Sequence, residues 1–485
     1  MANIEFFLNG NPRQCHVAPD TSILTLLREH LGITGTKEGC ASGDCGACTV
    51  AIADPDAPTP AYISINACIT PAHQLQGKSL MTVEGLELNG QLHPAQAAMV
   101  ECHGSQCGFC TPGVVMSLFT LHESRTETSE PPTSEQLEAA LSGNLCRCTG
   151  YRPIRDAALQ MQSLAQPSAL WHEASLPVLS AQPPVAPDDN AECFFYQPAS
   201  LEDLTHVRAR YPDARLIAGG TDLWLEATQQ LTPLNQLIDI TGVKALSVIE
   251  TAQLEGQEGW WIGAGVTYSQ LEPLLNAHFP AFAHLLHRLG SRQIRNRGTL
   301  GGNIANASPI GDTPPVLLAL GAVVELASID QTRQLSLEDF FLDYKRTALA
   351  ASEVVSRVFI PRLDEHVKCH VWKLSKRRED DISAVLGAFT YRLENERLRD
   401  VRIAFGGMAA IPKRALKAEQ ALEGQLITAD GFRQAQAALS KDFSPMDDVR
   451  GSARYRQQAA ANLIERLYLT LSSPGQEVML HAYAH

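Results

Sequence analysis

Nine residues constrain this chain more than any others: Cys40-Ala41-Ser42-Gly43-Asp44-Cys45-Gly46-Ala47-Cys48 separates three thiols by four and two residues. Cys68, twenty residues beyond Cys48, offers a fourth. Thiolates hold soft metals, and C-x4-C-x2-C with one distant Cys is the spacing of a plant-type [2Fe-2S] cluster, whereas structural zinc favours C-x2-C knuckles. Gly39, Gly43 and Gly46 allow positive φ, which turns backbone N–H groups towards sulfurs bearing negative charge. Zinc, or buried free cysteines, is the competing reading.

A second group follows. Cys107-Gly108-Phe109-Cys110 precedes Thr111-Pro112-Gly113, where Thr111 is expected to cap a helix and Pro112 to take its first position. Cys110 then stands at a helix N-terminus. Thr133-Ser134-Glu135-Gln136 is a capping-box pattern that opens another helix, with Leu137, Ala140 and Leu141 on one face and Gly143 as the stop. Cys146-Arg147-Cys148 comes directly after. Four thiols brought together by two helices can hold a second [2Fe-2S] cluster, with zinc again the alternative, and a positive helix end beside an anionic cluster favours it.

Eight of the twelve cysteines fall in these two groups, which suits metal better than disulfides. A length of 485 residues implies three or four domains, and 45% hydrophobic with 19% charged residues is ordinary for a soluble globular protein. The formal charge of -14, without a run of five or more Lys or Arg, argues against nucleic-acid binding. No basic, apolar leader opens the sequence and no run of 18 apolar residues occurs, so the expectation is a cytoplasmic protein with no membrane span.

In chain order, residues 1–85 begin with a hairpin-like start at Ile4–Gly10, then a capped helix over Thr21–Gly32. Strands are expected at Thr49–Ile52 and Ala61–Asn66, making a ferredoxin-like domain with the cysteine loop between helix and sheet. Residues 86–165 read as helical. Residues 166–192 carry clustered prolines and read as a linker.

Residues 193–365 hold three glycine-rich turns. Leu216-Ile217-Ala218-Gly219-Gly220-Thr221-Asp222 is a strand running into a tight turn whose N–H groups can cradle a phosphate. Gly298–Asn306, continuing to Ser308–Asp312, is a second run over which backbone can approach a large anion. Ile262–Thr267 resembles part of a G-x-G-x-x-G fingerprint but lacks the third glycine and the acidic residue about twenty positions on, which disfavours a Rossmann domain. Each turn alone is better explained as a strand end; three together point to a dinucleotide. Residues 366–485 read as mixed α+β, with Lys376–Asp381 a solvated turn between strands, a strand entering a glycine turn at Ile403–Met408 and a terminal helix over Ala453–Leu469.

Taken together, Cys40-x4-Cys45-x2-Cys48, then Gln106-Cys107-Gly108-Phe109-Cys110-Thr111-Pro112-Gly113, then Asn144–Tyr151 resemble the xanthine dehydrogenase branch of the molybdenum hydroxylases. Gly301–Asp312 and Lys376–Ile382 resemble the flavin half of that family. The resemblance implies a multidomain α+β architecture: a ferredoxin-like β-grasp [2Fe-2S] domain, a helical-bundle [2Fe-2S] domain, a two-lobed α+β FAD-binding domain and a C-terminal α+β flavoprotein domain. It implies cluster ligands Cys40, Cys45, Cys48 and Cys68, and Cys107, Cys110, Cys146 and Cys148. For FAD it implies Leu216, Ile217, Ala218, Gly219, Gly220, Thr221, Asp222, Gly298, Thr299, Gly302, Asn303, Asn306, Ser308 and Asp312, with Lys373 near the flavin ring and Gln106 directed at a partner's pterin.

The family's full enzyme continues into a long molybdopterin domain for which this chain leaves no length. The resemblance therefore implies an electron-transfer subunit in an α2β2 heterotetramer, with a molybdopterin-binding large subunit that carries the purine-hydroxylating residues. Electrons would pass from molybdenum, where hypoxanthine or xanthine becomes urate, through the second cluster and the first to FAD and NAD. Related carbon-monoxide dehydrogenases and hydroxybenzoyl-CoA reductases place iron-sulfur and flavin on separate chains, so their fusion here favours the xanthine branch. The alternatives are a free-standing NADH diaphorase or ferredoxin reductase, and a redox subunit serving another N-heterocycle or an aldehyde.

Overall fold

The computed structural model describes residues 2–55, 61–125, 130–164, 186–188 and 191–473. Most of the Pro-rich stretch 166–192 lies outside the described residues. The chain divides into two compact units. The first comprises Met1–Lys244, Thr267–Ser269 and Gly290–Thr299, and the second comprises Ala245–Val266, Gln270–Leu289 and Leu300–His485. The 193–365 stretch of sequence is thus shared between them.

In the first unit, strands β1 (Ala2–Leu8), β2 (Asn11–Val17), β3 (Thr49–Ala53), β4 (Ile63–Asn66) and β5 (Ser79–Met81) form a sheet in the order β2-β1-β5-β3-β4. The β1–β5 pairing is parallel and the others are antiparallel. Ile4, Phe6 and Leu8 alternate on β1 and are all buried, as a half-buried strand requires. Ser22 rather than Thr21 caps the expected helix, its hydroxyl accepting from Thr25 N, and after Ile23–Thr25 the helix widens into a π-turn over Leu26–His30.

Helices Pro94–Glu101, Thr111–Glu123, Ser134–Leu141 and Arg152–Gln160 follow, around a core that includes Val114, Phe119, Leu137 and Ile154. Thr133 and Gln136 form the expected capping box. Thr111 is not a cap: Cys110 occupies the N-cap position with no side-chain cap, and Thr111 Oγ1 donates to Ser105 Oγ instead. The helix Pro94–Glu101 is capped by His93, whose ring nitrogen takes the place of the usual hydroxyl, and that of Arg152–Gln160 follows a left-handed Tyr151. Neither start carries the Ser, Thr, Asp or Asn that signals a helix in sequence. The unit also holds a parallel sheet with Gln236–Asp239 between Phe194–Tyr196 and Arg215–Ile217.

In the second unit an antiparallel sheet runs in the order Thr332–Ser336, Val323–Ala327, Val354–Pro361, Gln257–Gly263, Ile249–Leu254. A second antiparallel sheet, Val367–Leu374, Val385–Glu394, Arg397–Gly406 and Lys413–Arg414, packs with the helices Leu416–Leu422, Ala429–Asp442 and Ala453–Ser472 around Phe389, Phe405, Phe432 and Leu463. Two of the three glycine stretches are not open turns. Gly301 lies inside the helix Leu300–Asn306, where a Cβ would come within 2.4 Å of Ala264, so glycine there serves close packing. At Gly263 a Cβ would meet Leu246 O at 2.3 Å, so that strand end is filled by protein. Among the described residues no helix is long and apolar enough to cross a membrane.

One buried polar cluster within the helical bundle resembles a metal site. His93 Nε2 and His122 Nδ1 lie 3.1 and 3.0 Å from Glu123 Oε1, and the three ligand atoms fall within 4.8 Å of one another. His93 Nδ1, however, accepts from Ala95 N, so the neutral ring carries its proton on Nε2 and presents a donor to the carboxylate rather than a lone pair. Burial pushes the Glu123 carboxyl up, but the N–H groups of His122 and His93 outweigh it and hold it at about 2. A carboxyl so depressed stabilises the fold at every pH above its unfolded value of roughly 4.3, and the effect fades as pH falls towards the folded value. Glu123→Gln should therefore cost on the order of 2 kcal/mol at neutral pH. In thermal unfolding the gap from wild type should stay constant from pH 8 to pH 5 and shrink only below that; a gap already closed at pH 6 would show that the Glu123 carboxyl is not held at its low value.

Candidate cluster and flavin sites

The first cysteine loop joins the turn after His30 to β3. Gly43 and Gly46 take positive φ, at +82° and +67°, and Ala41 joins them at +54°. The result is a loop that points N–H groups inward: Ser42 N and Cys45 N each lie 3.4 Å from Cys40 Sγ. Cys68, in the turn after β4, brings its sulfur to 3.3 Å from Cys48 Sγ. Hydrogen bonds from Cys45 and then Cys68 hold the Cys40 thiol far below the usual range, while proton sharing with Cys40 pushes Cys45 and Cys68 up.

The second set assembles in the same unit. Cys148 Sγ lies 3.7 Å from Cys107 Sγ and 3.9 Å from Cys146 Sγ. A metal–sulfur bond of ~2.3 Å at a tetrahedral angle separates two sulfurs by roughly 3.8 Å, so the spacing fits thiolates sharing a metal. Burial, followed by Cys146, pushes Cys110 up to about 12. Burial pushes Cys146 up, but hydrogen bonds from the Thr149 hydroxyl 3.0 Å from its sulfur, from the Thr149 and Cys148 backbone and from Cys110 together bring it down to about 7. Cys107 and Cys148 are exposed while Cys110 and Cys146 are buried, so this set opens to the surface on one side. Gln106, beside Cys107, is exposed, as are Phe109, Leu145 and Tyr151.

The two sets approach each other through backbone. Leu145 N donates to Cys45 O at 3.0 Å, joining the residue before Cys146 directly to a cysteine of the first loop. A Cβ on Gly113 would stand 2.1 Å from Gly46 O, so the helix begun at Cys110 lies against the first loop with no room for a side chain. Sequence reading placed both sets of thiols but not this contact, because Gly46 and Gly113 are far apart in the chain and neither fits a pairing motif.

The residues that the resemblance implies for FAD fall in both units. In the first, the turn after Arg215–Ile217 is pinned from below: Gln74 Nε2 donates to Ala218 O at 2.7 Å, and a Cβ on Gly219 would overlap Arg297 O at 1.9 Å. Thr221 is half-buried and Asp222 exposed; Gly298 and Thr299 are buried. In the second, the helix Leu300–Asn306 buries Gly301 and Ile304, leaving Gly302 exposed and Asn303 and Asn306 half-buried. Asn303 Oδ1 accepts from Thr313 Oγ1 at 2.6 Å, and Ser308 is half-buried. Asp312 and Lys373 are both buried and paired at 2.7 Å. Ser383 Oγ donates to the other carboxylate oxygen, and Lys373 Nζ also donates to Arg288 O at 3.0 Å. Sequence reading missed Gln74, Arg288 and Ser383, which carry no motif.

Family models cover nearly the whole chain. The "2Fe-2S iron-sulfur cluster binding domain" matches residues 6–73, and the "[2Fe-2S] binding domain" matches 82–159. The "FAD binding domain in molybdopterin dehydrogenase" matches 189–363, and the "CO dehydrogenase flavoprotein C-terminal domain" matches 370–471. The chain is 32% identical to xanthine dehydrogenase of Drosophila subobscura and 31% identical to xanthine dehydrogenase/oxidase of Mus musculus, in each case over 96% of this chain and 39% of the relative. It thus spans about two fifths of the length of the curated relatives it matches. Among solved structures, carbon monoxide dehydrogenase from Hydrogenophaga pseudoflava aligns over 58% of this chain and 96% of its own, at 27% identity and TM-score 0.53. Quinoline 2-oxidoreductase from Pseudomonas putida 86 aligns over the same shares at 29% identity and TM-score 0.52.

The contact at Gly113 gives a direct test of how the cysteine sets are built. Because backbone cannot retreat as a side-chain tip can, Gly113→Ala should lower iron content and weaken the visible charge-transfer absorption of the purified chain. Iron and spectrum equal to wild type would show that the helix start is free to shift.

Proposed function

Since this chain belongs to the molybdenum hydroxylase family, of which it carries the two iron-sulfur, the FAD-binding and the C-terminal flavoprotein domains, we propose that it is the electron-transfer subunit of a xanthine dehydrogenase. Its partner would be a molybdopterin-binding large subunit in an α2β2 assembly. The observation that carries the reading is that two four-thiol sets and an FAD-binding domain occur on one polypeptide, with the sets in hydrogen-bonded contact at Cys45 and Leu145. Bound clusters supply one-electron steps, and bound FAD supplies the two-electron exchange with NAD.

The chain's own residues position and insulate. Cys40, Cys45, Cys48 and Cys68 would hold the first cluster, and Ser42 N and Cys45 N offer hydrogen bonds that offset the charge on Cys40 sulfur. Cys107, Cys110, Cys146 and Cys148 would hold the second. Its exposed side, at Cys107 and Cys148, suits it to receive electrons from the partner's molybdenum, with Gln106 offering an amide that both donates and accepts towards a pterin edge. For FAD, the residues from Leu216 to Asp222 with Gly298 and Thr299 would serve the pyrophosphate and ring, together with Gly302, Asn303, Asn306, Ser308, Asp312 and Lys373. The Lys373–Asp312 pair would place a fixed buried dipole in the flavin half.

Similarity to quinoline 2-oxidoreductase supports the second reading, a redox subunit for another N-heterocycle. Purification from native extract decides between them: a co-purifying chain containing molybdenum that oxidises hypoxanthine and xanthine with NAD supports the first. Molybdenum with turnover of another heterocycle supports the second. A lone, fully active NADH diaphorase without molybdenum overturns both.

Cys45→Ser should abolish one reduced [2Fe-2S] signal in electron paramagnetic resonance and Cys148→Ser the other, while Gly302→Val and Asp312→Ala lower FAD occupancy and leave both signals in place. Gln106→Ala should keep iron, FAD and NADH–dye activity of the isolated chain, yet slow reduction of its clusters by purine once the partner is bound; unchanged purine-driven reduction would remove Gln106 from the docking surface.

A further inference from the structure

Gly290–Thr299 lies in the FAD-binding stretch of the sequence but belongs to the iron-sulfur unit. Within it Gln293 is only 1% exposed, and its amide nitrogen stands 3.2 Å from each of Thr49 Oγ1, Ser117 Oγ and Asn144 Oδ1. These atoms belong to both cysteine sets. Thr49 directly follows Cys48, Asn144 is two residues before Cys146, and Ser117 lies on the helix whose N-cap is Cys110.

The polarity of the cluster is determined. Thr49 Oγ1 donates to Gly46 O at 2.7 Å and Ser117 Oγ donates to Asn144 Oδ1 at 2.6 Å, so both hydroxyl oxygens are left to accept. Asn144 Nδ2 is likewise occupied, donating to Gly46 O at 3.1 Å. Gln293 is therefore the donor to this group, its two N–H bonds shared among the three oxygens. Its own Oε1 is buried and has no hydrogen-bond partner among the described residues. An orphaned buried carbonyl offsets what the donated bonds contribute, so the net stabilisation from Gln293 is small and an apolar side chain of similar volume serves the fold about as well. What an apolar side chain cannot do is hold three oxygens at fixed distances from one point.

We propose that Gln293 is a positioning residue for electron transfer, its amide setting the spacing between the cluster of Cys40, Cys45, Cys48 and Cys68 and that of Cys107, Cys110, Cys146 and Cys148. The proposal rests on the reading that both sets hold [2Fe-2S] clusters. The step concerned moves one electron from a reduced cluster to its oxidised neighbour, with no bond made or broken. Tunnelling falls steeply with distance, so a small change of spacing alters the rate while leaving each cluster intact.

The test uses the full chain loaded with iron and FAD, as wild type, Gln293→Leu and Gln293→Met. Pulsed electron paramagnetic resonance of the fully reduced protein reads the dipolar coupling between clusters, and flash photoreduction reads the transfer rate between them. Both variants should retain wild-type iron, g-values and thermal midpoint, while the dipolar coupling shifts and transfer slows several-fold. Unchanged coupling and rate in an iron-replete variant overturn the proposal. If both variants lose iron, Ser117→Ala, which removes one of the three acceptors, carries the test: the same shift supports the role of Gln293 and none overturns it. A wild-type protein with a single cluster signal would instead overturn the cluster reading on which the proposal stands.

Discussion

The carbonyl of Gly46 is where the iron-sulfur unit is held together. It accepts from Thr49 N and Thr49 Oγ1 within its own loop and from Asn144 Nδ2 of the other cysteine loop, and Gly113 presses against it. The reason lies in what a cluster loop is. Residues 40–48 must wrap inward, so they give up the ladder and helix bonds that satisfy backbone elsewhere. Each buried group so released costs about 1–3 kcal/mol unless a neighbour takes it. The second loop supplies those neighbours through Asn144 and Leu145, so each cysteine loop is satisfied in part by the other.

What sequence could reveal follows from the same logic. Thiol spacing is a local property, so both groups of cysteines stand out in sequence, and the structure brings Cys48 to Cys68 and Cys148 to Cys107 and Cys146. The capping box at Thr133 and Gln136 was legible for the same reason, as was the strand before Gly219. The helix over Leu300–Asn306 was not. Its glycines read as a turn because glycine disfavours helix, whereas packing against Ala264 leaves no room for anything larger. Nor were the buried partners of Lys373 and Asp312: Arg288 and Ser383 meet them only through tertiary folding, and no local pattern announces them.

The division of the chain also departs from its linear order. A ten-residue piece of the flavin-related sequence, Gly290–Thr299, packs as part of the iron-sulfur unit. Its residues are used almost in succession: Gln293 meets the two cysteine loops, Asn296 Nδ2 donates to Ser64 O at 2.9 Å on β4, and Arg297 donates to Gln74. A short helix, Arg292–Arg295, is enough to direct these side chains to different partners.

Arg297 shows why such an arrangement must do more than stabilise. It is 8% exposed, and Asp239, which acts on it electrostatically, is fully buried. Burial pushes the arginine down and the carboxyl up, even though Thr241, Gln74 and Gln197 all donate to Asp239. Charges taken out of water in this way seldom repay their desolvation, and apolar residues of similar volume often serve stability equally well. What the polar set supplies is register. Gln74 stands six residues after Cys68, accepts from Arg297, and donates to both Asp239 and Ala218 O. One amide therefore links the segment following Cys68 to the turn before Gly219, and a slip of either element would leave a buried charge without its partner.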